Sequence, residues 1–159
     1  MTDLSLKTAV VFLPGSMCNE RLFTPQVEKL SQQGFECHIA DLTSALTYEG
    51  LAENILNVAP DKFALVGLSM GGTLALEVFK QAPERVTHLA LLNTTPKPDR
   101  AKETRLEHIE RVKAGELGQL MQENYFPRYL SPASDSAKIL PIVRRMAVDL
   151  GPDRSEERR

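Results

Sequence analysis

The chain has 159 residues, 25% of them charged, and a formal net charge of −2. That length suits a domain with a real core, and that charge favours neither nucleic acid nor an anionic membrane as a partner. Cys18 and Cys37 are too few for a disulfide framework, Asp3 stands where a signal peptide would be basic, and no apolar run nears a membrane span, so a reduced, cytoplasmic setting is expected.

In chain order, residues 9–13 (Ala-Val-Val-Phe-Leu) predict a buried strand, broken by Pro14-Gly15-Ser16. A helix follows over about 20–32, with Leu22, Val27 and Leu30 toward the core. The second strand, 35–40, ends at Asp41, and the second helix covers 48–58. A third strand, 63–66, runs toward a helix over 70–82 that Pro83 stops; a fourth, 86–93, closes at Thr94-Thr95-Pro96. Strands alternating with helices, without internal repeats, predict an α/β fold on a mostly parallel sheet. From there helical periodicity takes over. Leu106, Ile109 and Val112 share one face, Leu117, Leu120, Met121 and Tyr125 another, and Ile139, Ile142, Val143, Met146 and Leu150 a third. Residues 151–159 hold no large apolar side chain and read as a solvated, disordered tail.

Gly67-Leu68-Ser69-Met70-Gly71 carries the chemistry. It matches G-x-S-x-G, and its setting matters more than the pattern: a buried strand runs in and a helix runs out, as a nucleophile elbow requires. Such a serine sits on a tight, strained turn with its hydroxyl clear of the sheet, while Gly67 and Gly71 omit side chains that would collide where helix and strand cross. The bland alternative is a Gly-rich turn. A strand-ending turn is likewise the plain reading of Leu13-Pro14-Gly15.

Taken together, the two stretches resemble the α/β-hydrolase superfamily in its esterase-like branch, over roughly residues 8–150. The resemblance implies a sheet ordered as the strands at 35, 10, 63 and 86, with Ser69 as nucleophile. It implies one oxyanion donor in the N–H of Met70 and another in the loop after the first strand, Ser16 or alternatively Met17. Many members carry His-Gly in that loop; this chain has Pro14-Gly15. Residues 1–96 then correspond to the N-terminal half of the hydrolase core and 97–150 to a helical cap, in which Met121 and Tyr125 serve packing rather than a substrate pocket. No cofactor or metal is implied. The expected partner is a small ester-like molecule.

A serine hydrolase also needs a base and an acid that orients it. The family places these after two further strands, which need roughly 60 residues, and the 90 residues after Ser69 are largely taken up by the cap. The expectation is a C-terminally truncated chain, with a reading-frame change near Leu150. Of the three histidines, His88 lies early in its strand, roughly 16 Å from the serine end, and reads as a core or sheet-bottom residue. His38 lies two strands to the side. The remaining acid–base pair in family order is Asp99 with His108; a surface helix histidine is the plain alternative for the latter. Cys18 reads as a half-buried structural thiol rather than a nucleophile. The function expected is hydrolysis of a carboxylic ester, thioester or lactone through an acyl-serine, silent in this form. A receptor-like binding protein and a lyase or cofactor-free oxidoreductase on the same scaffold stay open, as does the oligomeric state.

Overall fold

The computed structural model describes residues 9–96 and 102–151. The chain divides between Pro96 and Lys97 into two compact units.

The first unit is built on four parallel strands: β1 (Ala9–Leu13), β2 (Cys37–Ile39), β3 (Phe63–Leu68) and β4 (Val86–Leu92), ordered β2-β1-β3-β4. That is the order the resemblance implies. Every residue of β1 is buried, as an inner parallel strand covered on both faces requires. Alternation sends Ala9, Val11 and Leu13 to one face, where they meet Leu51, Ala52 and Ile55 of helix α2 (Tyr48–Val58) and Leu74, Ala75 and Val78 of helix α3 (Met70–Gln81). Val10 and Phe12 point to the other face, against Phe23, Leu22, Val27 and Leu30 around helix α1 (Thr24–Gln32). The α2 stripe at 48, 51, 52 and 55 has helical spacing, and Thr47 caps the helix through Gly50 N–H (3.1 Å).

The boundaries shift in places. Residues 20–22 form a separate 3-10 turn, and α1 starts only at Thr24, with Pro25 in its first turn, where a missing N–H costs nothing. The β2 ladder shortens to three residues, though Val10 N–H to Glu36 O (2.8 Å) and Ala40 N–H to Phe12 O (2.9 Å) extend its pairing. His88 is exposed rather than in the core, because β4 is the outer strand and little covers it. Leu89, Leu91 and Leu92 are 37–41% exposed.

Arg85 ties the bottom of this unit together. Its guanidinium donates to the carbonyls of Leu56 (2.9 Å), Ala59 (2.8 Å), Pro60 (2.9 Å) and Asp61 (3.4 Å) and lies over the Phe63 ring. Four acceptors, in the last turn of α2 and the loop after it, suit the rigid five-donor fork of arginine and not a lysine ammonium. Arg85→Lys should therefore lower the urea-unfolding stability by about 2 kcal/mol; an unchanged midpoint would mean the carbonyls are served equally by water.

The second unit is helical: α4 (Lys102–Lys113), α5 (Leu117–Leu120), a π turn (Met121–Tyr125), α6 (Phe126–Tyr129) and α7 (Ser136–Leu150). Among the described residues, its buried side chains are Val112, Leu120, Met121, Met146 and Ala147. The α7 stripe runs through Val143, Met146, Ala147 and Leu150, while Leu106 and Ile142 are 46% and 49% exposed, away from the positions their periodicity suggests. Arg111 pairs with Glu116 (2.8 Å) and Glu123 (2.9 Å) and so fastens α4 to the π turn.

Candidate active site

β3 ends at Leu68, α3 begins at Met70, and Ser69 between them has φ +53° and ψ −115°. Few residues with a side chain adopt such a backbone, at a cost of about 1–3 kcal/mol that surrounding bonds must offset. Ser69 N–H donates to Leu92 O (2.9 Å), and Ser69 O accepts from the N–H groups of Gly72 (2.9 Å) and Thr73 (3.2 Å) and from Thr94 Oγ1 (2.8 Å). Gly72 and Thr73 thus spend their N–H groups on the turn, whereas those of Met70 and Gly71 have no acceptor within the helix. The residue itself is exposed.

Glycines let the segments meet. A Cβ on Gly67 would lie 2.4 Å from Gly71 O, and one on Gly71 would lie 2.0 Å from Leu13 O and 2.5 Å from Pro14 O. The exit of β1 therefore crosses directly over the start of α3. Beyond it, a Cβ on Gly15 would touch Leu68 O (3.4 Å) and Ser69 Cβ (3.5 Å). The loop 14–17 consequently lies beside the serine, turned by a Cys18 N–H to Gly15 O bond (3.2 Å) and by Met17 at φ +58°. Gly15, the residue before Ser16, is brought against Ser69. Their surroundings are the N-terminal end of α3, where helix amides and dipole favour negative charge.

The histidines of this unit lie elsewhere. His88 pairs in register with Ala64 and His38 with Val11, itself opposite Leu65. These positions are five and four residues short of Ser69, roughly 13–16 Å along the strands. His38 Nε2 meets Glu36 (2.9 Å) instead. In the helical unit, His108 Nδ1 meets the Tyr125 hydroxyl (3.2 Å) with the rings edge to face; Asp99 falls outside the described residues. Among the described residues no three metal-ligating side chains cluster, and no helix is long and apolar enough to cross a membrane.

Cys18 stands near this loop with its thiol pushed up to about 11 by desolvation. The thiolate is the reactive form, so iodoacetamide at pH 8 should alkylate Cys18 about a hundredfold more slowly than a free cysteine. Peptide mapping that finds it modified at the free-thiol rate would return Cys18 to the list of nucleophiles.

Helices α6 and α7 also frame an open groove of about 840 Å³, lined by Phe126, Leu130, Leu140 and Val148 with Arg144 and Arg145. Neither Met121 nor Tyr125 lines it, and Met121 is packed inside the unit. The contact that the sequence did not disclose is Thr94 on Ser69; the extra Gly72 beside the motif was its faint signal.

A family model described as the alpha/beta hydrolase fold matches residues 56–131. A pimeloyl-[acyl-carrier protein] methyl ester esterase from Aliivibrio salmonicida is 30% identical over 96 residues, covering 55% of this chain and 36% of that protein. One of the same name from Nitrosospira multiformis is 26% identical over 136 residues, covering 72% of this chain and 51% of its own. Among solved structures, a thermophilic esterase from Thermogutta terrifontis superposes with TM-score 0.81 at 24% identity, over 95% of this chain and 61% of that one. The chain thus spans about a third to a half of the length of these two curated relatives.

Proposed function

We propose that this chain, which belongs to the α/β-hydrolase fold family, carries the nucleophile half of a serine esterase acting on a carboxylic ester, thioester or lactone. The observation that carries the reading is Ser69 held at φ +53° between Gly67 and Gly71, with the loop 14–17 against it. Residues 1–96 supply the hydrolase core and 97–150 a cap, in a cytoplasmic protein. Ser69 Oγ attacks the carbonyl carbon and gives up its proton to a base. The resulting oxyanion is met by the N–H groups of Met70 and Ser16; its collapse expels the alcohol or thiol, and water then releases the acid from the acyl-serine. The relatives' names make a methyl ester of a dicarboxylic acyl chain the first substrate to try.

The base is the weak point. Neither His38 nor His88 reaches Ser69, which favours, as a second reading, a chain that binds esters without turning them over. The Asp99–His108 pair is the candidate within this sequence. A fluorophosphonate probe should label Ser69 alone, and Ser69→Ala should remove both labelling and hydrolysis of p-nitrophenyl acetate. Hydrolysis should remain within the ~10³–10⁴ acceleration over water that an oxyanion site gives without its base. Activity that survives Ser69→Ala sinks the nucleophile assignment, and faster activity lost in His108→Ala would promote the Asp99–His108 pair.

A further inference from the structure

We infer that Thr94 is a positioning residue for Ser69: its hydroxyl fixes the peptide that carries the proposed oxyanion donor. The inference rests on the esterase reading above, in that it gives Met70 N–H its direction.

Ser69 C=O and Met70 N–H belong to one planar peptide unit and point to opposite sides of it. Whatever holds the oxygen therefore aims the hydrogen. Three donors hold it, and the Thr94 Oγ1 contact, at 2.8 Å, is the shortest. The Gly72 and Thr73 amides belong to α3 and rotate with the helix start; Thr94 comes from beyond β4 and is the anchor external to it. The same strand end holds the other side of the residue, since Leu92 O accepts from Ser69 N–H (2.9 Å). Ser69 is thus gripped at both of its backbone polar groups, by the last residue of β4 and by the segment just after it.

The Thr94 side chain sits directly against Gly72. A Cβ at position 72 would lie 2.5 Å from Thr94 Cγ2, 2.6 Å from its Cβ and 2.8 Å from Oγ1. Gly72 is therefore the seat that lets threonine reach the carbonyl. Asn93, at φ +45°, turns the chain after β4 so that the next residue faces back to the elbow. A carbonyl gripped from outside keeps the strained turn from relaxing by rotation of the 69–70 peptide, which would swing Met70 N–H off the oxyanion position.

The test compares Thr94→Val with Thr94→Ser in the full chain, with Thr94→Ala replacing valine if that variant does not fold. Fluorophosphonate labelling of Ser69 is followed against probe concentration. Loss of the hydroxyl should lower the maximal labelling rate about 30-fold with unchanged half-saturation, the size expected of a misaimed oxyanion donor. Serine should stay within about threefold of the parent. Amide exchange gives a readout that needs no reactivity. Gly72 and Thr73, whose N–H groups share the Ser69 carbonyl, should exchange about tenfold faster without the hydroxyl, while β1 and α2 keep their protection. A valine or alanine variant that matches the parent in exchange overturns the inference, as does a serine variant as impaired as valine. If the parent is never labelled at Ser69, the esterase reading fails, and the exchange comparison still decides what Thr94 holds.

Discussion

Gly71→Ala is expected to abolish the folded state of residues 9–96. The added methyl would stand 2.0 Å from Leu13 O, 2.5 Å from Pro14 O and 2.6 Å from Leu13 C. All three are backbone atoms at the end of the most enclosed strand, and Leu13 itself is fully buried, so no flexible tip can step aside. Relief requires moving α3 off β1 by more than an ångström and opening the core that Leu74, Ala75 and Val78 share with Val11 and Leu13. Overpacking of this kind against rigid neighbours belongs to the exceptional class above ~4 kcal/mol, out of a total that is about 5–15 kcal/mol for such a domain. Gly15→Ala is the contrasting change: its methyl meets Leu68 O at 3.4 Å and Ser69 Cβ at 3.5 Å, ordinary contacts. Circular dichroism melts should show a cooperative transition for Gly15→Ala and none for Gly71→Ala. A melt for Gly71→Ala within a few degrees of the parent would mean that β1 and α3 do not cross as described.

The second large effect concerns self-association. Among the described residues β4 is the outer strand, with Val-Thr-His-Leu-Ala-Leu-Leu carrying no Lys, Glu, Asp or Pro along its length. Natural sheets blunt such edges with charge, proline or a bulge. The one irregularity here is an extra residue on β4 at Thr87, since consecutive Phe63 and Ala64 pair with Val86 and His88; it lies at the start of the strand and leaves Leu89–Leu92 in regular register. Both faces of β4 are also thinly covered, Leu89 and Leu91 on the α3 side and Leu92 on the other. Thr87→Lys with Leu89→Lys puts two charges on this edge away from Ser69 and should lengthen the aggregation half-time at 37 °C about tenfold or more by light scattering. The paired control, two lysines on exposed α4 at Leu106 and Glu107, should leave it unchanged within a factor of about two. Equal aggregation of parent and β4 variant would move the sticky surface elsewhere.

The first unit was readable because its signals are local. Apolar runs at 9–13, 63–66 and 86–92 are bounded by Pro or Gly, and parallel pairing follows from the helices between them. The motif around Ser69 was legible for the same reason: its glycines, strand and helix are contiguous. What escaped depends on distant neighbours. An alternating strand pattern says which side chains share a face but not whether anything covers it, so His88 read as a core or sheet-bottom residue, and the structure puts it at the sheet bottom, exposed. Leu106 and Ile142 failed likewise, since a helical stripe has margins that only packing resolves. Thr94 sits 25 positions from Ser69, and a hydroxyl at a strand end has no periodicity that would announce a carbonyl waiting elsewhere.

Burial of β1 on both faces has a consequence for synthesis. Ala9–Leu13 leaves the ribosome well before β3, for Ala9 pairs with Phe63, 54 residues later in the chain. At ~5–20 residues per second, that partner follows by roughly 3–11 seconds. For that interval five consecutive apolar residues lack their β3 neighbour and helix α3, which follows it. This segment is therefore a place for a holding chaperone to act, and codon choice between residues 13 and 63 sets how long it waits.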